Sequence, residues 1–342
     1  MSDAAVKIPH CEPGEWPASI PQDRFAAHIH RALVTECRVA LLGLPDDLGV
    51  RLNNGRPGAR EGPASFRAAL AKYGVAAPDG WDWPRVFDAG DVRPARGDGE
   101  EALHETHRRV SEAARALVEL GLFPIAVGGG HDLTFAFVRG VWEGLRAFGR
   151  GSSLAGFYFD AHLDVRETVG SGMPFRGLIE ECGAGPLNVV GLNPFANARE
   201  HCEYFRARGG AIVGRDALHA MVQRGGPATG RDLGIPDNTP FFCSVDLDVI
   251  DASAAPGVSA LNPDGLAVGA VGAALRGICR QPNLCCLDFM ELSPPHDEQA
   301  RTARAAAHLF LEALRGFQTR GTSAAGGVAG RAAPGASDVH HP

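Results

Sequence analysis

The 342-residue sequence has no apolar run approaching the ~18 residues that a membrane-spanning helix needs. Its opening, MSDAAVKIPHCEPGEWP, carries acidic residues and prolines where a secretory leader needs a cationic start and an apolar core. None of its eight cysteines stands in a CxxC pair, and Cys285 and Cys286 are neighbours inside an apolar run. Reduced core thiols are expected, not a disulfide framework, and the cytoplasm is the expected compartment. Both phosphate-loop patterns are absent. The GGG at 128–130 is followed by Leu133 where GxGxxG needs its last glycine, and no GK[ST] follows, so nucleotide binding is not expected. Positive charge is in deficit, with 33 Lys and Arg against 40 Asp and Glu, a net charge of −7. That balance disfavours nucleic acid or an anionic membrane as partner.

What is present is a regular alternation. Apolar runs bounded by turn residues occur at 38–45, near Val86–Asp88, at 122–132 running into a glycine loop, in SLAGFY, at 187–192, in AIV, at 239–251 running into an acidic loop, and at 283–292. Between them lie amphipathic stretches, the longest at 99–121, acidic in its first turn and ended by Gly121. Buried strands alternating with helices predict a mainly parallel sheet covered on both faces. With no linker visible, 36–318 reads as a single domain, preceded by a Pro-containing lead-in with a short helix at 1–35. The Gly-, Ala- and Pro-rich tail 319–342 lacks periodicity and is expected to be disordered. His340 and His341 belong to that tail and are expected to be solvated.

Three predicted strands end in ligand-rich loops. FDAHLDVR brings Asp160, His162 and Asp164 to one side of an extended chain, because successive side chains alternate. GGGHD places His131 just past three glycines, and DLDVID places Asp246 and Asp248 on one face. Taken singly, GGGH is usually a turn, and DLDVID could be an acidic capping loop. Together they sit where open α/β sheets hold their ligands, at the carboxyl ends of strands. If the four aspartates converge, each like-charged pair near 4 Å repels by roughly 4 kcal/mol at an effective dielectric of 20. Two divalent cations would balance them, with two neutral imidazoles completing the set. Ligation dominated by oxygen, with no cysteine, favours manganese over zinc.

These motifs, with NGRPGAREGP in the first loop and ELSPPHD near the end, resemble the ureohydrolase family of arginases, agmatinases and formimidoylglutamases over residues 38–317. The resemblance implies a three-layer α/β/α sandwich on an eight-stranded sheet. It also implies two Mn2+ per chain and a homo-oligomer, trimeric or hexameric. Carried over by position, one metal takes His131, Asp160, Asp164 and Asp246, and the other takes Asp160, His162, Asp246 and Asp248. Asp160 and Asp246 would bridge. Glu291 would hold a cationic amidinium, and Asp164 would carry the proton to the leaving amine.

Within the family, GGGHD differs from the arginase GGDHS, and Phe175 stands where arginases have a histidine. DAHLDVR, SGMPFR and APGVSA all look like the formimidoylglutamase branch, implying hydrolysis of N-formimidoyl-L-glutamate to L-glutamate and formamide. That substrate carries two carboxylates, which arginine pairs in a bidentate manner. Arg166, directly after DAHLDV, and Arg176, after SGMPF, are the expected carboxylate binders. Two alternatives are an agmatinase or guanidino-acid amidinohydrolase releasing urea, and a non-catalytic scaffold of the same fold.

Overall fold

The computed structural model describes residues 6–74, 82–151, 153–224, 227 and 230–320. The tail beyond 320, with His340 and His341, lies outside the described residues. Nine strands form one sheet: β1 (Cys11–Glu12), β2 (Val39–Leu44), β3 (Val86–Val92), β4 (Phe123–Gly128), β5 (Ala155–Phe159), β6 (Leu187–Val190), β7 (Ala211–Val213), β8 (Phe241–Asp246) and β9 (Leu284–Met290). Their spatial order is β1-β3-β2-β4-β9-β8-β5-β6-β7. Eight strands run parallel, and only β1 is antiparallel, pairing with β3 at the edge.

The helices are α1 (Leu48–Leu52), α2 (Gly62–Leu70), α3 (Glu100–Glu119), α4 (Asp132–Ala147), α5 (Pro174–Cys182), α6 (Arg199–Ala207), α7 (Arg215–Gln223), α8 (Val268–Ile278) and α9 (Arg301–Gln318). Two separate hydrophobic cores show how they are layered. One joins Leu41, Ile125, Phe157 and Val245 to α2, α7, α8 and α9. The other joins Leu42, Ala126, Tyr158 and Phe242 to α3, α4, α5 and α6. Successive residues of one strand enter opposite cores, which follows from the period of two. The strands therefore read as continuous apolar runs, since both faces are buried: β2, β4 and β8 have no exposed residue.

The predicted strands and long helices are all present. Two short elements are additional. The lead-in contributes β1 as well as a 3-10 turn at Phe25–His28. The loop after β2 contains α1, whose five residues are too few to show a helical period. Gly121, two positions past the end of α3, takes φ +77, the left-handed conformation that closes a helix.

Four adjacent strands, β4, β9, β8 and β5, point their carboxyl ends at one place. The glycine run at the end of β4 makes this possible. A Cβ on Gly129 would lie 1.6 Å from the Asp46 carbonyl oxygen, and one on Gly128 would lie 2.4 Å from Met290 Sδ. Side chains at either position would push the β4 end away from the ends of β2 and β9.

Candidate metal centre

His131 follows β4 directly and stands at the start of α4, with the Nδ1 of its buried ring facing three carboxylates. Asp164 Oδ2 lies at 2.9 Å, Asp246 Oδ2 at 3.1 Å and Asp160 Oδ2 at 3.2 Å. These four residues form one group able to hold a cation. A second group joins Asp160, His162 and Asp248, with His162 Nδ1 3.0 Å from Asp248 Oδ2 and 3.4 Å from Asp160 Oδ1. Asp160 belongs to both. Asp246 joins only the first, and its Oδ1 accepts the Asp248 backbone N–H at 2.8 Å.

Buried atoms without partners test whether cations fit. Asp160 Oδ2 and Glu291 Oε2 are buried and accept no hydrogen bond. Leaving such groups unpaired costs about 1–3 kcal/mol each, more when charged. A hard divalent ion would give Asp160 Oδ2 its missing partner, and the donor set of carboxylate oxygens and imidazoles suits manganese.

The centre is held by backbone conformations that side chains rarely adopt. Asp164 has φ +48 and Glu291 has φ +65. Such strain persists only where the surroundings enforce it, and it concentrates at functional sites. At Glu291 the enforcement is visible. Its N–H donates to the Gly129 carbonyl at 2.9 Å, and its Oε1 accepts the His131 N–H at 3.0 Å.

Below the centre, His131 Nε2 pairs with Ser244 Oγ at 3.0 Å, and that hydroxyl donates to Asp288 Oδ1 at 2.5 Å. The relay fixes the ring and leaves Nδ1 for the cation side, the usual way a ligating histidine is oriented. Ser244 lies two residues before Asp246 on the same strand face, so extending the period of two by one step would have found it. Asp288 faces Ser244 across the sheet, a pairing that local sequence does not display.

Electrostatics explain how acids and imidazoles coexist when no cation is bound. Burial acts to lower the His131 pKa, but the carboxylates of Asp160, Asp164 and Asp246 facing its ring hold it well above its ordinary value. Asp248 and then Asp160 raise His162 likewise, against its own burial. Burial, and then the neighbouring carboxylates, raise Asp160 and Asp246. Burial pushes Glu291 up to about 8.

These shifts share a sign. A raised imidazole pKa contributes stability in full below the unfolded value near ~6.5 and loses it as pH climbs. Buried acids with raised pKa values likewise become costly as they ionise. Metal-stripped protein is therefore expected to melt at progressively lower temperature from about pH 6 to about pH 9, and added Mn2+ should stabilise it more at the alkaline end. Thermal melts with and without Mn2+ across that range check this. A manganese effect that shrinks with pH would contradict it.

A cavity of about 290 Å³ opens over the centre, lined by His162, Asp164, Asp246, Asp248 and Glu291 at its floor. Arg166 lines it, exposed, with its NH1 donating to Asn53 Oδ1 at 2.6 Å. The structure places Arg176 elsewhere. It stands on α5, shared between Glu167 at 2.8 Å and Glu180 at 3.1 Å and lying over the Tyr204 ring. A guanidinium held by two carboxylates outside the cavity has no edge to offer a substrate, so Arg176 drops out of the carboxylate-binding set. Phe175 is buried, stacked on Tyr158 with centroids 3.7 Å apart and set edge-on to His131 at 5.3 Å. It buttresses the ligand histidine and leaves that position without an imidazole.

Sequence reasoning missed several wall residues, among them Asn53, Arg56, Asn197, His201 and Ser259. Arg56 had a signal, since it sits inside NGRPGAREGP. Asn197 and His201 had none, being polar residues in or beside an ordinary helix.

A parallel α/β sandwich with a carboxylate–imidazole pair of cation sites at its strand ends defines a class of metal-dependent hydrolase folds. Residues 37–316 match the arginase family model, and the chain belongs to that family. A formimidoylglutamase of Aromatoleum aromaticum is 33% identical over 297 residues, covering 82% of this chain and 84% of that protein. A formimidoylglutamase of Geobacillus kaustophilus is 31% identical over 328 residues, covering 89% and 96%. Among solved structures, Trypanosoma cruzi formiminoglutamase with a Mn2+ pair superposes with a TM-score of 0.75 at 26% identity, covering 88% of this chain and 100% of that one. No described helix is long and apolar enough to cross a membrane.

Proposed function

We propose that this chain is a manganese-dependent hydrolase of N-formimidoyl-L-glutamate that releases L-glutamate and formamide. The observation that carries the reading is the polarity of the cavity. Its floor is built from carboxylates, and the guanidinium of Arg166 at its wall has no carboxylate partner among the described residues. A substrate cationic at one end and anionic at the other fits that arrangement. The formimidoylglutamase relatives and the shared fold support the same assignment.

His131, Asp160, Asp164 and Asp246 would hold one cation, and Asp160, His162 and Asp248 the other, with Asp160 shared and Asp246 anchoring Asp248. When bound, the cations supply Lewis acidity that lowers the pKa of an attacking water. Glu291 Oε2, with no partner of its own, receives the amidinium. That cationic group offsets the burial that pushes Glu291 up to about 8, and so favours the ionised carboxylate. Asp164 takes the proton from the water and returns it to the leaving nitrogen. The water oxygen bonds to the amidine carbon, the bond from that carbon to the glutamate nitrogen breaks, and the products are formamide and the free amine.

The test is a panel of formimidoylglutamate, agmatine, arginine and guanidinobutyrate with Mn2+, scoring formamide or ammonia against urea. Formamide from the first alone is expected. The same cavity would accept a guanidino acid, and urea as the product would transfer the chain to that chemistry. Arg166→Ala is expected to raise the KM for formimidoylglutamate more than about tenfold with two Mn2+ retained, the scale of a charge-assisted hydrogen bond. An unchanged KM would remove Arg166 from the carboxylate role. The reading also carries a trimeric or hexameric cytoplasmic enzyme, which sedimentation and fractionation would test.

A further inference from the structure

Arg56 lies between α1 and α2, and its guanidinium is anchored along one edge only. Nε donates to the Ser259 carbonyl at 2.8 Å and NH2 to the Val258 carbonyl at 2.6 Å, while its backbone N–H donates to Ser259 Oγ at 3.0 Å. The NH1 edge has no hydrogen-bond partner, and no carboxylate pairs with Arg56 among the described residues. Three other arginines are neutralised: Arg51 pairs with Asp47 and Asp98, Arg67 with Asp88 and Asp91, and Arg176 with Glu167 and Glu180; Arg60, in the same loop as Arg56, is exposed and does not line the cavity. Arg56 and Arg166 line the same cavity, both without an acid.

They also share a wall. Arg166 NH1 is tied to Asn53, three residues before Arg56, so both guanidiniums are referred to the 53–56 loop. Bridging two carbonyls needs only a neutral donor such as an amide. A guanidinium in that place leaves a fixed positive edge at the cavity wall, and a pre-oriented fork loses little freedom when it meets a carboxylate.

We propose that Arg56 and Arg166 form a two-point receptor for a dicarboxylate, each binding one carboxylate, and that Arg56 separates dicarboxylate from monocarboxylate amidines. The inference rests on the amidine-hydrolase reading above and deepens it. One substrate carboxylate lies beside the formimidoyl-bearing nitrogen and the other at the far end of the side chain, so two separated cations match two separated anions.

Three substrates test this in the manganese-loaded enzyme: N-formimidoyl-L-glutamate; 4-(formimidoylamino)butanoate, which lacks the carboxylate beside the nitrogen; and N-formimidoyl-L-norvaline, which lacks the distal one. Arg56→Ala is expected to raise the KM for the dicarboxylate by roughly tenfold or more with kcat nearly unchanged. It should spare one monocarboxylate analogue, and Arg166→Ala should spare the other. Equal losses on all three substrates would reduce Arg56 to a clamp on the 258–259 loop and overturn the proposal, as would an unchanged KM. Should Arg56→Ala fail to fold, Arg56→Gln decides the matter, since its amide can still donate to a carbonyl of that loop while the charge is gone. If the wild type instead releases urea from guanidino acids, the reaction assignment falls. The same comparison with N-amidino-L-glutamate and 4-guanidinobutanoate would then judge Arg56 independently.

Discussion

Asp246→Ala is expected to leave the protein folded but unable to retain manganese at either position, with turnover at least about a thousandfold lower. That is the scale expected when a group acting as part of a unit is removed. The carboxylate is 2% exposed and does two jobs. Its Oδ2 faces His131 Nδ1 at 3.1 Å within the first cation group. Its Oδ1 accepts the Asp248 N–H at 2.8 Å and so fixes the chain turn that aims Asp248 at His162. Alanine removes a ligand from one group and the anchor of a ligand in the other. Metal analysis after gel filtration, with a thermal melt to show folding, is the measurement. Two manganese ions per chain in Asp246→Ala would remove Asp246 from both roles.

Glu291→Gln should separate catalysis from metal binding. Glutamine keeps the volume of the side chain and an oxygen for the His131 N–H, so the turn at φ +65 should survive. What disappears is the negative charge that meets the amidinium. A loss of roughly 10²–10³ in kcat/KM is expected, the range seen when one preorganised electrostatic contact to the reacting group is removed. Manganese content should stay at two per chain. Unchanged kcat/KM would show that the amidinium is held elsewhere. Loss of manganese would show that Glu291 supports His131 more than it serves the substrate.

The residues of the candidate cation groups were readable because each local rule names side chains that leave one face together. A strand period of two groups Asp160, His162 and Asp164, and it groups Asp246 with Asp248. Convergence of the three motifs was expected from their places at the carboxyl ends of strands, charge balance then called for cations, and the motifs lie together at neighbouring strand ends. The substrate wall was only partly readable. Arg166 is adjacent in sequence to a ligand motif and was found. Arg176 is also near in sequence but belongs to the first turn of α5, where Glu180 one turn later and Glu167 in the preceding loop claim it. Arg56 lies more than a hundred residues from His162 along the chain. Only the hydrogen bonds from the 53–56 loop to the loop at 258–259 carry it to the cavity.

By itself, then, the sequence determined the alternation of buried strands and helices, the six side chains that gather into the candidate cation groups and the absence of a histidine at Phe175. These follow from side-chain chemistry and from periods set within one element. Only the tertiary structure decided which oxygen of Asp246 faces His131, that Ser244 and Asp288 orient that imidazole, and which arginines keep an unpaired edge. Those outcomes depend on loops distant in the chain meeting above the sheet. Local periodicity carries no record of such meetings, because competition among carboxylates for each cation is settled in three dimensions.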